Sequence, residues 1–108
     1  WFGFLITVKE NAGFTRQQLV THLEKNKIQT RMLFAGNLIK HPCFDGMRKS
    51  GKGFRVVAAR PAGRTASALP VTDAILARTF WIGVYPGMTP QMLKYMRKKF
   101  EAFFNELR

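Results

Sequence analysis

Arg31 and Asn37 are the residues of this chain whose types and setting most suggest contact with a ligand. They lie in the run Thr30-Arg31-Met32-Leu33-Phe34-Ala35-Gly36-Asn37-Leu38, which begins as a strand and breaks at Gly-Asn. A guanidinium offers a planar fork of donors that matches phosphate or carboxylate. Gly36-Asn37 gives a backbone able to reach positive φ, so that a ligand or another chain segment can approach closely. The pattern suits holding something better than filling a core.

Other chemistry is thinly supplied. His22, His41 and Cys43 are the soft metal ligands, and His41 and Cys43 lack partners at zinc spacing, so no metal site is expected. His22 falls beside the apolar face of a helix and reads as a boundary residue. His41 precedes Pro42, which holds it extended. The six acidic residues form no spaced pair in an apolar setting, and neither standard glycine-rich phosphate loop occurs. No catalytic or cofactor-binding residue is assigned, and the isolated chain does not read as a self-sufficient enzyme.

The elements that must position these residues follow from composition and period. At 108 residues, 46% hydrophobic and with ten Phe, the chain suffices for one domain with a core. Residues 2–8 are aromatic and β-branched and predict a strand buried on both faces. Thr15 and Gln18 form a capping box, with Phe14 and Leu19 at the staple positions. Leu19, Val20 and Leu23 then face inward, and Asn26 ends the helix. Residues 28–34 predict a second strand, with Ile28, Met32 and Phe34 on one side and Arg31 on the other.

Residues 46–70 are rich in Gly, Pro, Lys and Arg, and predict a long basic loop, partly disordered, with a brief strand at Phe54-Arg55-Val56-Val57. Thr72-Asp73 cap a short helix through Arg78, and residues 79–85 form a third strand. Thr89-Pro90 opens a last helix whose Leu93, Met96, Phe100, Phe103 and Leu107 share one face, with Lys94, Arg97 and Lys98 on the other. Phe4, Phe34, Phe80 and Phe100 all fall on core faces. The fold class is α+β, a small, mostly antiparallel sheet with helices packed on one face.

The net charge of +12 favours an anionic partner, whether nucleic acid, a membrane surface or a phosphorylated small molecule. No apolar run reaches the roughly 18 residues of a membrane helix, and no signal peptide opens the chain. A start at Trp1 inside an apolar run reads as a domain excised from a longer protein. The lone Cys43 excludes an internal disulfide and fits a reducing, cytoplasmic setting.

A set of strings then occurs in order: Trp1-Phe2-Gly3-Phe4, Asn26-Lys27-Ile28-Gln29-Thr30-Arg31, Leu33-Phe34-Ala35-Gly36-Asn37-Leu38, Phe54-Arg55-Val56-Val57, Thr72-Asp73 and Thr79-Phe80-Trp81-Ile82-Gly83-Val84-Tyr85-Pro86-Gly87. This order resembles the C-terminal small domain of the CDP-4-keto-6-deoxyglucose 3-dehydrases, in the sugar aminotransferase-like group of fold-type I pyridoxal phosphate enzymes. The resemblance spans nearly the whole chain apart from about 46–53 and 58–70.

It implies a pyridoxamine phosphate-dependent removal of a sugar C3 hydroxyl in lipopolysaccharide-type deoxysugar biosynthesis. The cofactor would be held by an N-terminal large domain absent from this chain, and the parent would be a homodimer acting on a CDP-sugar. It further implies that Phe2, Arg31, Asn37 and, more weakly, Arg55 line the nucleotide-sugar site. Directly after Thr72-Asp73, where some members carry a basic substrate-contacting residue, stands Ala74, with Arg78 one turn on. The competing expectation is a basic nucleic-acid-binding α+β module, which would set its cations beside exposed aromatics on the sheet.

Overall fold

The computed structural model describes residues 1–53 and 69–107. The elements are strand β1 (Gly3–Thr7), helix α1 (Arg16–Lys25), strand β2 (Thr30–Met32), helices α2 (Asp45–Ser50) and α3 (Pro70–Arg78), strand β3 (Thr79–Gly83) and helix α4 (Pro90–Glu106). Two 3-10 turns, Leu38–Lys40 and Pro42–Phe44, precede α2. The chain divides into two compact units, one of Trp1–Leu33 with Arg78–Arg108, the other of Phe34–Ala77.

The first unit is built on a three-stranded sheet of order β1-β3-β2, with both outer strands antiparallel to β3. This is the α+β class expected. One sheet face supplies Ile6, Phe80, Ile82 and Met32 to a core completed by Leu19, Val20 and Leu23 of α1 and Phe103 of α4. Phe80 and Leu23 are wholly buried. Phe14 and Phe103 meet edge to face, ring centroids 5.1 Å apart, where α1 begins.

The helix ends are built as the sequence reads, with one difference. Thr15 Oγ1 accepts from the Gln18 N–H at 3.2 Å, and Gln18 Oε1 accepts from the Thr15 N–H at 2.7 Å, which completes the capping box. At the other end Asn26 is the C-cap, as expected, and the left-handed residue follows it: Lys27 has φ 61°, whereas Asn26 stays at φ −93°. The Ile28 N–H donates to the Leu23 carbonyl and the Lys27 N–H to the Glu24 carbonyl, both at 3.0 Å. That is a Schellman motif with a lysine where glycine is usual. In α4, Thr89 caps through the Met92 N–H and Pro90 takes the first helical position.

Several expectations are corrected. The first strand is not buried on both faces: it is a sheet edge, with Phe4 60% and Leu5 57% exposed. The second strand stops at Met32, because the chain turns through positive φ at Ala35 and Gly36, leaving Phe34 77% exposed. Leu93 and Leu107 of α4 are exposed as well. Asp45–Ser50 is helix where a loop is expected, and Gly51 ends it at φ 66°. Helix α3 starts at Pro70, so Thr72 and Asp73 lie in its first turn and do not precede it. The Phe54–Val57 strand and most of the basic loop lie outside the described residues.

Candidate functional site

Backbone parity decides which side chains share the sheet's other face. The Val84 N–H donates to the Phe2 carbonyl and the Val8 N–H to the Arg78 carbonyl, so even-numbered residues of β3 bond to β1. Odd-numbered ones therefore bond to β2, which makes Arg31 and Trp81 a hydrogen-bonded pair. Residues directly opposite share a face, so Leu5, Trp81 and Arg31 stand in one row away from the core.

Trp81 lies down on this face because Gly3 has no side chain: a Cβ there would come within 3.0 Å of Trp81 Cε3. The Phe2 ring meets the Trp81 ring at 5.1 Å and 68°. Arg31 is exposed at the end of the row. With the Gln29 amide oriented to satisfy both groups, its oxygen accepts from Arg31 Nη2 at 2.9 Å and Nη1 at 3.2 Å. That contact fixes the guanidinium plane. Glu24, whose Oε1 accepts from the Thr30 N–H and hydroxyl at 2.6 and 2.7 Å, is held below the usual carboxylate range by those bonds, with a smaller contribution from the Arg31 charge.

The second unit places Asn37 differently. Asn37 is 2% exposed, and its Nδ2 donates to Asp73 Oδ1 at 2.9 Å. Lys40 Nζ reaches Asp73 Oδ2 at 2.7 Å. Gly36 sits at φ 66°, where an added Cβ would run into the Leu76 side chain, so the close approach that Gly-Asn permits is made by α3. His41, extended before Pro42 at φ −68°, ψ 145°, brings Nε2 within 2.6 Å of the Ala35 carbonyl. Arg48 contacts the Ile39 carbonyl, the His41 carbonyl and Asp45. These bonds hold the turn after β2 in shape.

Phe2 and Arg31 thus belong to the same unit, gathered around Trp81, while Asn37 belongs to the other and Arg55 lies outside the described residues. Arg78 pairs with Glu10 at 3.5 Å. Among the described residues no group of three His, Cys, Asp or Glu could hold a metal ion. His22 is half-buried, its Nε2 3.0 Å from the Lys99 carbonyl, as a boundary residue would be. The first unit also holds open grooves, one of about 380 Å³ lined by His22, Lys25, Phe103 and Glu106 among others. One of about 630 Å³ is lined by Tyr85, Tyr95, Met88, Met92 and Met96 among others. One of about 440 Å³ lies between the end of β1 and Phe14, Phe100 and Phe104.

The sequence matches the DegT/DnrJ/EryC1/StrS aminotransferase family over residues 1–101. The chain belongs to that family. It is 47% identical over 104 residues to the lipopolysaccharide biosynthesis protein RfbH of Salmonella typhimurium, covering 96% of this chain and 21% of that protein. It is 44% identical over 103 residues to the dTDP-4-dehydro-2,6-dideoxy-D-glucose 3-dehydratase of Saccharopolyspora spinosa, covering 95% of this chain and 19% of that one. The chain spans about a fifth of the length of these relatives. The dehydrase resemblance drawn from the ordered strings is thereby supported.

Within this member of the aminotransferase family, Trp81 and Gln29 are the residues that sequence reasoning passed over. Both stood inside quoted strings. Their part in the arrangement depends on strand register, which neither spacing nor composition reveals.

Proposed function

We propose that this chain is the substrate-side, C-terminal domain of a pyridoxamine or pyridoxal phosphate-dependent nucleotide-sugar 3-dehydrase, serving C3 deoxygenation in lipopolysaccharide-type deoxysugar biosynthesis. The observation that carries the reading is Arg31: an exposed guanidinium, oriented by Gln29 and set beside Trp81, in a chain of this family. Such a fork suits the diphosphate of a CDP-sugar, and an aromatic face beside it suits the base or the sugar ring. Phe2 extends that surface, while Asn37 acts by holding the turn through Asp73. Arg55 remains a candidate contact from the sequence alone.

A pyridoxal-type cofactor needs a carboxylate against its ring nitrogen and a lysine, or a histidine standing in for it, at the reacting carbon. The carboxylates nearest the turn after β2 and the end of α1 are already engaged. Asp73 is engaged by Asn37 and Lys40, Asp45 by Arg48, and Glu24 by Thr30. We therefore assign the cofactor to the N-terminal large domain of a longer, homodimeric parent working in the cytoplasm. No helix among the described residues is long and apolar enough to cross a membrane.

Nucleic-acid binding is the second reading, drawn from the net charge of +12. A stacking sheet would flank its aromatics with several cations, whereas Arg31 is the one Lys or Arg within the three strands. Calorimetric titration of the full-length protein with CDP and with dTDP tests the proposal. Arg31→Ala is expected to weaken whichever nucleotide binds by about tenfold or more, the value of a charged hydrogen bond. Unchanged affinity for both, with salt-dependent capture of single-stranded nucleic acid, would support the second reading.

A further inference from the structure

We infer that Gln29 is a positioning residue that reserves the charge of Arg31, and one defined edge of its guanidinium, for the ligand. This rests on the nucleotide-sugar reading and adds the atoms that hold the diphosphate and the residue that keeps them available. The Gln29 oxygen accepts from Nη1 and Nη2 at once, at 3.2 and 2.9 Å, so it lies at the end of the guanidinium. It takes one hydrogen from each of these nitrogens. The side edge, Nε–H with the second hydrogen of Nη2, keeps the parallel fork that one phosphate fills. Arg31 is exposed, and among the described residues no carboxylate meets that edge.

Other arginines of the chain are held differently. Arg48 contacts Asp45, Arg78 pairs with Glu10 at 3.5 Å and Arg97 with Glu101 at 3.6 Å. Each of those charges meets a carboxylate. Arg31 meets a neutral amide oxygen, which fixes a plane without cancelling a charge. Glu24 is close enough to feel the Arg31 charge. Its Oε1, however, is engaged by the Thr30 N–H and hydroxyl at 2.6 and 2.7 Å.

The backbone brings the pair together. Gln29 directly precedes β2 and Arg31 is its second residue, so with one residue between them both project to the same side. Thr30, the residue between, is buried and tied to Glu24, which fixes the backbone from which both side chains leave. Part of the ordering of a long arginine is thus complete before a ligand arrives, and that favours binding.

A glutamate at position 29 would offer the same end-on geometry and neutralise the fork. An aliphatic residue would keep the charge and release the plane. Among side chains of this length, the amide alone gives a cation that is both oriented and unneutralised. The diphosphate of a nucleotide sugar is esterified at both ends and carries one negative charge on each phosphorus. One phosphate takes the Nε–Nη2 edge, and the whole guanidinium charge acts on both. An uncharged ligand gains little from that charge, so Gln29 sets the preference of the site for the diphosphate.

Calorimetric titration of the full-length protein with CDP-glucose and dTDP-glucose tests this on whichever binds more tightly. Far-UV circular dichroism confirms the fold of each variant. Gln29→Glu is expected to weaken binding about tenfold or more and to flatten its salt dependence, because the fork is already neutralised. Gln29→Met keeps the length and removes the acceptor. It is expected to weaken binding about threefold or more, with the salt dependence of the native protein. In an Arg31→Ala background Gln29→Met has no further effect, since Gln29 acts through Arg31. If Arg31→Ala weakens binding while either Gln29 variant binds as the native protein does, the inference is overturned and the nucleotide-sugar reading stands. A Gln29→Met loss that persists without Arg31 also overturns it, as does a Gln29→Glu loss with unchanged salt dependence. Affinity untouched by Arg31→Ala, or no binding of either nucleotide sugar, overturns the reading and the inference together.

Discussion

Arg31 and Trp81 face each other as a hydrogen-bonded pair across the β2–β3 ladder, on the sheet face that turns away from the core. One end of that row is a cation and the centre is an indole, laid flat because Gly3 leaves room beneath it. If Gly3 is what keeps the indole down, a side chain there must lift it. Gly3→Val is expected to change Trp81 fluorescence and weaken nucleotide binding by the full-length protein, while Gly3→Ala shows a smaller shift. Emission and affinity indistinguishable from the native protein in both variants would remove Gly3 from the account.

Glu24 should make stability depend on pH in a defined direction. Its bonds to Thr30, aided by Arg31, lower its folded-state pKa below that of the unfolded chain. The stabilisation is therefore fully present above the unfolded value of about 4.3 and is lost as pH falls through the folded value. Glu24→Ala is expected to lower the denaturation midpoint at pH 7, with the gap from the native protein closing below about pH 4. A gap that persists undiminished in acid would mean that shape, and not charge, supplies the effect.

Lys27 spends a β-carbon in the left-handed region to close α1. Glycine meets no such penalty, so Lys27→Gly is expected to stabilise the first unit by about 1 kcal/mol. Thermal unfolding followed by circular dichroism reads this directly, and a lowered midpoint would contradict the assigned motif.

Gly36 carries both a positive φ and a close neighbour in Leu76. Gly36→Ala is expected to destabilise the second unit by about 2 kcal/mol, the left-handed cost plus overpacking. Combining it with Leu76→Ala should recover part of the loss, since the two share one space. Additive losses in that double-mutant cycle would show the contact to be unimportant.

Much of this was legible in the residues because it is local. The capping box at Thr15 and Gln18, the proline start of α4 and the apolar period of α1 each need only a few neighbouring residues. What failed depends on partners distant in sequence. The apolar run 2–8 reads as buried, but a strand's burial follows its place in the sheet, and β1 is at the edge. Asn26 does cap α1, but the left-handed residue is Lys27, because the bond from Ile28 to Leu23 sets that turn one residue later. Arg31 could be picked out by type, and its neighbour Trp81 only by register. Gly36-Asn37 did signal a close approach, with α3 as the object approached.

Steady-state kinetics of the full-length protein with Arg31→Ala, using the nucleotide-sugar substrate proposed for it, tests the central assignment most directly. If Arg31 binds the diphosphate and takes no part in the chemistry, KM rises about tenfold or more while kcat stays within about a factor of two. A KM that does not move, or a loss confined to kcat, would contradict a substrate-binding role for this residue.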